Sequence, residues 1–336
     1  MPYSFMGNHS YAAGNACSVL ATVVIYKTSI ENSEAVQALL RCFAEDPALA
    51  TGFRLLLYDN SSEAQAPPES AAVEVSYHHD ELNGGLAVAY NHALGLAVKA
   101  GIPWLMLLDQ DTRVTAEYLH EVLALQPVAA QDPQIIAFAP KLTGITGLRS
   151  PAMDFIDSLH RQVILPRWRR PLIVPHDTYG PQHQRTVAFN SGAVLRTQAV
   201  QAIGGFPTAY WLDFLDMAVF HELYRHGGYL FVMHSTLEHS LSVEEDDFLE
   251  RSTSLSRHRN ILSAMTHYVK TNGTAWERLL HRGWLARNFF SLVVRRGGLR
   301  FAIASLSQAF TYSTRPRAAR AQSASATTAT VPDGQR

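Results

Sequence analysis

Leu107-Leu108-Asp109-Gln110-Asp111-Thr112 closes an apolar run, residues 102–108, with two carboxylates one residue apart. A run of that length and composition reads as a buried strand. In open α/β sheets ligands bind beyond the carboxyl ends of the strands, so acids at such an end are placed for a ligand rather than for packing. A second reading stands beside the first: Asp111 or Thr112 simply N-caps the helix that begins near Thr115. A D-x-D string is short, and its meaning rests on the rest of the chain.

Around it, strand and helix patterns alternate. Residues 18–26 (SVLATVVIY) are rich in β-branched side chains and read as a buried strand, and residues 31–43 carry apolar positions at helical spacing. A second strand, 53–58, runs into Asp59-Asn60-Ser61-Ser62. Residues 64–70 form a loop around Pro67-Pro68, 73–77 a third strand, and Asn83-Gly84-Gly85 the junction to a helix over 86–100. Alternation from residue 18 to about 125 predicts βαβ units and therefore an α/β fold with a mostly parallel sheet.

A further strand is expected at 135–140. Residues 143–184 hold five prolines and the basic aromatic cluster Pro166-Arg167-Trp168-Arg169-Arg170 without a sustained period, which reads as a long surface excursion. Order returns at 186–196 (TVAFNSGAVLR), followed by a helix over 197–203, the turn Gly204-Gly205-Phe206-Pro207 and the acidic segment Trp211-Leu212-Asp213-Phe214-Leu215-Asp216. A helix through Arg225 stops at Gly227-Gly228; a strand over 229–233 leads to Leu237-Glu238-His239-Ser240. Residues 255–310 read as helices, and 313–336 as a disordered Ala/Ser/Thr-rich tail.

Composition narrows the function. The 336 residues, 47% of them hydrophobic, suffice for one large globular domain with an appendage. Cys17 and Cys42 have no metal or disulfide spacing and suit a reducing compartment. Residues 1–16 lack the basic start and apolar core of a secretory signal, and no apolar run approaches the ~20 residues of a membrane span. The chain is accordingly expected in the cytoplasm. Its net charge of −1 argues against nucleic acid, yet from Arg278 onward ten arginines stand against one acid, Asp333.

Taken in order, these motifs resemble the family 2 inverting glycosyltransferases of GT-A fold, and among them the bacterial rhamnosyltransferases. The resemblance covers residues 18–245. It rests on the opening strand 19–26, Asp59-Asn60-Ser61-Ser62, Asn83-Gly84-Gly85 with Asn91, Asp109-Gln110-Asp111, Asn190-Ser191-Gly192, Gly204-Gly205-Phe206, the 211–216 segment and Glu238-His239. The Leu-Asp-Gln-Asp spelling points to the rhamnosyl group. Ala218 and Val219 depart from it, standing where the family usually has Glu and Trp, and Ser240-Leu241-Ser242 lacks a family glycine. Implied are a Rossmann-like central sheet flanked by helices, a flexible segment 1–17, and a catalytic domain 18–245 made of a donor half, 18–125, and an acceptor half, 135–245. A C-terminal helical region, 246–312, and the tail 313–336 complete the expected organisation.

By the same resemblance, Asp111 and His239 bind Mg²⁺ or Mn²⁺, Asp109 contacts the ribose or a metal-bound water, and Gln110 hints at rhamnose. Asp59 takes the N3–H of uracil or thymine, with Asn60, Asn83, Gly85 and Asn91 completing the donor site; a turn-forming Asp-Asn pair at 59–60 and a plain loop-to-helix junction at 83–85 are the alternative readings. A hard cation suits this chemistry because it binds carboxylate and phosphate oxygens together. Asp213 is the expected general base. Asp216, three residues on, shares its face if the segment is helical and holds its pKa up; capping of a helix over 214–225 is the simpler role for Asp213. The implied partners are a dTDP-rhamnose donor and a glycan or lipid-linked glycan acceptor.

Two readings remain open for the basic end. Leu279, Leu280, Trp284, Phe289, Phe290, Leu292 and Val293 interleave with Arg278, Arg282, Arg287, Arg295 and Arg296, a pattern suited to an anionic membrane surface. A helical bundle or homo-oligomer contact with solvated arginines fits equally. A nucleotide-binding oxidoreductase is disfavoured because no G-x-G-x-x-G follows the first strand; a catalytically silent scaffold of the same fold is the third alternative.

Overall fold

The computed structural model describes residues 17–144, 147–149, 178–183, 186–238, 254–294 and 298–312. Expectations placed on residues 1–16, on 166–170, on His239 and on 313–336 lie outside these. The chain forms two units, one of Met1–Pro207 with Asp216–Glu245, the other of Thr208–Leu215 with Asp246–Arg336.

The first unit is built on a sheet in which β1 (Val19–Ile25) is an interior strand, buried at every position. A strand covered on both faces needs an unbroken apolar, β-branched run, which VLATVVI supplies. It pairs in parallel with β2 (Phe53–Asp59) on one side and β4 (Trp104–Asp109) on the other, and β3 (Val75–His79) adds to β2. The connections are α1 (Glu34–Glu45), the short α2 (Pro47–Ala50) and α3 (Leu86–Ala100). A 3-10 turn, Ile30–Asn32, precedes Ser33, whose hydroxyl caps α1, so the first helix starts three residues later than its apolar pattern suggests.

After α4 (Ala116–Gln131) come β5 (Ile135–Gly144), β6 (Gly147–Arg149), β7 (Gly180–Gln182), β8 (Ala193–Arg196), α5 (Thr197–Ala202), α6 (Leu215–Arg225) and β9 (Tyr229–Glu238). The sheet order is β3-β2-β1-β4-β8-β5-β9-β7, with β6 on β5. Strands β6, β7 and β8 run against the others. The sheet is thus mixed and mostly parallel, flanked by helices. Parts of the 143–184 excursion join it as β6 and β7: three-residue strands are too short to show a period-2 pattern.

Strand order reverses at β1, so a ligand crevice is expected at the carboxyl ends of β1 and β4. Register places Asp59 opposite Ile25 and Asp109 opposite Val24. The two acids therefore flank the end of β1, two strand spacings or about 10 Å apart.

The second unit contains the helices α7 (Leu255–Asn272), α8 (Ala275–Val293) and α9 (Leu299–Thr311). A capping box of Thr274 and Glu277 starts α8. Leu262, Leu285, Ala304 and Tyr312 form one apolar cluster, and Leu292, Phe301 and Ala302 another.

Candidate functional site

Asp109 is the last residue of β4 and is half-buried. The hydroxyl of Ser191, itself 2% exposed, donates to its Oδ2. Ser191 is held there from both sides: the Gly192 N–H donates to Leu107 O at 2.8 Å, and the Tyr118 hydroxyl donates to Gly192 O at 2.6 Å. Gly192 has φ +80°, and a Cβ on it would lie 2.7 Å from Leu237 Cδ1 and 2.8 Å from Pro140 Cγ, so only glycine fits this approach. The Asn-Ser-Gly segment thereby fixes the first acid of the D-x-D.

Asp111 follows in a turn closed by the Thr112 N–H to Asp109 O, 3.2 Å. Helix α4 is capped by Thr115, whose hydroxyl accepts from the Tyr118 N–H at 3.3 Å. Neither Asp111 nor Thr112 is the cap, which removes the simplest packing role for this pair.

Gln110 turns inward to the protein. Its Oε1 accepts from the Tyr26 N–H at 2.8 Å and its Nε2 donates to Thr28 Oγ1 at 3.0 Å. Its carbonyl accepts from Ser33 Oγ at 2.9 Å and from the Ala35 N–H at 3.1 Å. The residue between the acids thus locks the end of β4 to the β1–α1 connection. Arg113 fastens a third element: its guanidinium donates to Glu34 and Glu238, each at 2.7 Å, and its N–H to Glu238 O at 3.0 Å. Glu238 ends β9, so that strand's end is fixed to the residue two positions past Asp111.

At the end of β2, Asp59 is completely buried. Its carboxylate accepts from the Ser61 N–H (2.9 Å), Gln65 Nε2 (3.1 Å) and the Tyr77 hydroxyl (2.9 Å). Gln65 in turn accepts from the Ile30 N–H at 2.8 Å and donates to Thr28 O at 3.1 Å. The carboxylate that the resemblance assigns to the base therefore organises the loop after β2 from inside. Asn60 is buried beside it, its N–H donating to Ile25 O at 2.8 Å; its Oδ1 has no partner among the described residues.

Asp80, not singled out by sequence, shapes the next loop. Its carboxylate accepts from the N–H of Leu82 (3.1 Å), the N–H of Gly84 (2.8 Å) and the Tyr58 hydroxyl (3.1 Å). Asn83 adopts φ +50° and Gly85 φ +87° at the start of α3. Asn91, on α3, makes a reciprocal pair with the peptide of Phe206: Nδ2 donates to the carbonyl at 2.7 Å, and the N–H donates to Oδ1 at 2.8 Å. A Cβ on Gly205, φ +85°, would sit 2.5 Å from that Oδ1, which is why a Gly-Gly-Phe turn meets an asparagine here.

Asp216 opens the first turn of α6 and its Oδ1 accepts from the Met217 N–H at 2.8 Å. Tyr90 is fully buried; burial pushes its hydroxyl pKa up, and the charges of Asp109 and Asp216 push it further. Both acids thus act on one tyrosine. Asp213 belongs to the second unit and lies in a turn before α6, with Phe214 at φ +66° between it and the helix. The shared helical face expected of Asp213 and Asp216 does not form, since the left-handed residue breaks the helical path. Arg257 NH2 donates to Asp213 Oδ1 at 2.9 Å. Burial raises the Asp213 carboxyl pKa, and Arg257 works against that rise.

Asp109 and Asp111 supply hard oxygen donors, the type Mg²⁺ and Mn²⁺ take. Among the described residues no group of three or more His, Cys, Asp or Glu is placed to hold a metal ion. His239, the ligand that the resemblance implies beside Asp111, lies outside the described residues.

No protein-family model matches the chain, and no curated protein matches it. Solved structures do. S. aureus TarS 1-349 in complex with UDP-GlcNAc is similar at 13% identity and TM-score 0.50, over 88% of this chain and 81% of that one. GalNAc-T7 with UDP, GalNAc and Mn²⁺ is similar at 14% identity and TM-score 0.49, over 87% of this chain and 55% of that one. At 13% identity the likeness to TarS speaks for the fold alone: a mostly parallel sheet flanked by helices, with C-terminal helices, as in the GT-A glycosyltransferases.

Proposed function

We propose that the chain is a metal-dependent inverting glycosyltransferase acting on a nucleoside diphosphate sugar. The observation that carries this is the pair Asp109 and Asp111 at the carboxyl edge of β4, beside the point where strand order reverses, in a GT-A-type fold. The UDP-GlcNAc complex of TarS supports a nucleotide-sugar donor. By resemblance the donor is dTDP-L-rhamnose and the acceptor a hydroxyl of a surface polysaccharide or glycolipid precursor.

Asp213 acts as the base. It takes the proton from the acceptor hydroxyl as that oxygen bonds to the anomeric carbon, and the bond from that carbon to the diphosphate breaks on the opposite face, inverting the centre. A divalent cation held by Asp111 and His239, with Asp109 beside it, would neutralise charge on the departing diphosphate. Ser191 keeps Asp109 in place, and Arg113 keeps the end of β9 next to the D-x-D turn. Asp59 serves the nucleobase through the loop it fixes, and Gln110 serves the donor through the β1–α1 connection.

A panel of nucleotide sugars, including dTDP-rhamnose and UDP-GlcNAc, incubated with the full chain and Mn²⁺ tests this reading. Release of nucleoside diphosphate from one donor well above the rest is the expected result. Absence of release from every donor, with intact folding, rejects the enzyme.

A further inference from the structure

Helix α8 is apolar on two faces. His281, Leu285 and Leu292 turn into the second unit's core. On the opposite side Trp276, Leu279, Phe290, Val293 and Val294 are exposed, Trp276 at 55%, Leu279 at 58% and Phe290 at 70%. Their spacing of three, eleven and three residues, with Gly283 between, draws a single stripe about 26 Å long on the helix surface. A surface helix normally turns its polar side outward, so a stripe of this length marks a contact. Helix α9 repeats the pattern with Leu299, Ile303 and Phe310 exposed and Phe301, Ala302 and Ala304 buried.

The charge around the stripe identifies the occupant. From Leu255 to Tyr312 the sequence holds nine Arg and Lys against one acid, Glu277. On α8, Arg287 and Arg282 border the stripe by helical position, one on each side. Arg282 also stacks on the Tyr312 ring, 4.4 Å from its centroid. A second copy of the chain would set this positive surface against itself. A nucleic acid would leave the aliphatic stripe without a partner. An anionic lipid surface satisfies both features, taking Trp, Leu, Phe and Val into the headgroup boundary while the arginines reach phosphate. Among the described residues no helix is long and apolar enough to cross a membrane, so the contact is peripheral.

We infer that the outer face of α8 docks on an anionic membrane. This does not depend on the chemistry proposed for the D-x-D site. The test is co-sedimentation of the full chain at low salt with vesicles of phosphatidylcholine containing about one-third phosphatidylglycerol, and with phosphatidylcholine alone. Binding to the anionic vesicles only is expected, with partition falling about tenfold for Leu279→Ser/Phe290→Ser and by a smaller factor for Arg287→Glu. These side chains are exposed, so far-UV circular dichroism should be unchanged. No binding to anionic vesicles, equal binding to both kinds, or equal binding by the Leu279→Ser/Phe290→Ser variant overturns the inference. So does a lipid-free dimer that this variant dissolves, which would assign the stripe to a second copy.

Discussion

Asp213→Asn is expected to lower sugar transfer by about 10²- to 10⁴-fold, the usual contribution of a general base, while nucleotide binding persists. The side chain is 20% exposed, and burial raises its carboxyl pKa, which makes it a stronger proton acceptor. The competing role is structural: Arg257, 2.9 Å away, makes Asp213 the anchor of the turn before α6. A pH profile separates the two. Arg257 lowers the Asp213 pKa, so Arg257→Gln should move the acid limb of the rate profile to higher pH. An anchor alone predicts lower stability with an unmoved limb. Full transfer by Asp213→Asn would remove this residue from the mechanism.

Acid should weaken the helical unit strongly. His258 and His281 are both completely buried in it. His258 Nε2 meets Ser305 Oγ at 3.3 Å, and His281 Nδ1 meets the Tyr312 hydroxyl at 3.0 Å. Burial drives each pKa from 6.5 down to about 4; Arg259 lowers His258 further, against a backbone hydrogen bond to Phe301 that raises it. Above pH 6.5 both are neutral folded or unfolded. Between 6.5 and about 4 the unfolded chain takes up protons that the folded one refuses, so stability falls as pH falls. The loss reaches at most about 3 kcal/mol per histidine. Urea unfolding followed by far-UV circular dichroism at several pH values checks this. His258→Gln/His281→Gln should flatten the wild-type slope, and an identical slope in both proteins would contradict the assignment.

The parts of the fold visible in the sequence are those written in short-range pattern. The run at 102–108 and the helix at 86–100 announce themselves by apolar composition, and the break after each is sharp. The D-x-D is legible for the same reason, because two acids interrupt a buried strand. What surrounds it is not. Ser191 lies 82 residues from Asp109, and Asn91 lies 115 from the Phe206 peptide it binds. Such bonds carry no periodicity, so sequence can show that Asn-Ser-Gly and Gly-Gly-Phe are motifs without showing that one holds a carboxylate and the other an asparagine.

Side-chain direction was hidden as well. Gln110 and Asp59 stand where a ligand contact is expected, yet both spend their hydrogen bonds on the protein's own loops. The donors that hold Asp59, Gln65 and Tyr77, carry no motif at all, and neither does Asp80. Thr115 capping α4 was within reach of the capping rule; the two nearer candidates, Asp111 and Thr112, obscured it.

The most direct test of a diphosphate and metal centre at Asp109-Gln110-Asp111 is calorimetric titration of UDP and dTDP into the full chain. It is run with and without Mn²⁺, for wild type and Asp111→Asn. Metal-dependent binding of at least one nucleotide is predicted, weakened by about tenfold or more in the variant. Affinity that is the same with and without Mn²⁺, and the same in wild type and Asp111→Asn, would contradict it.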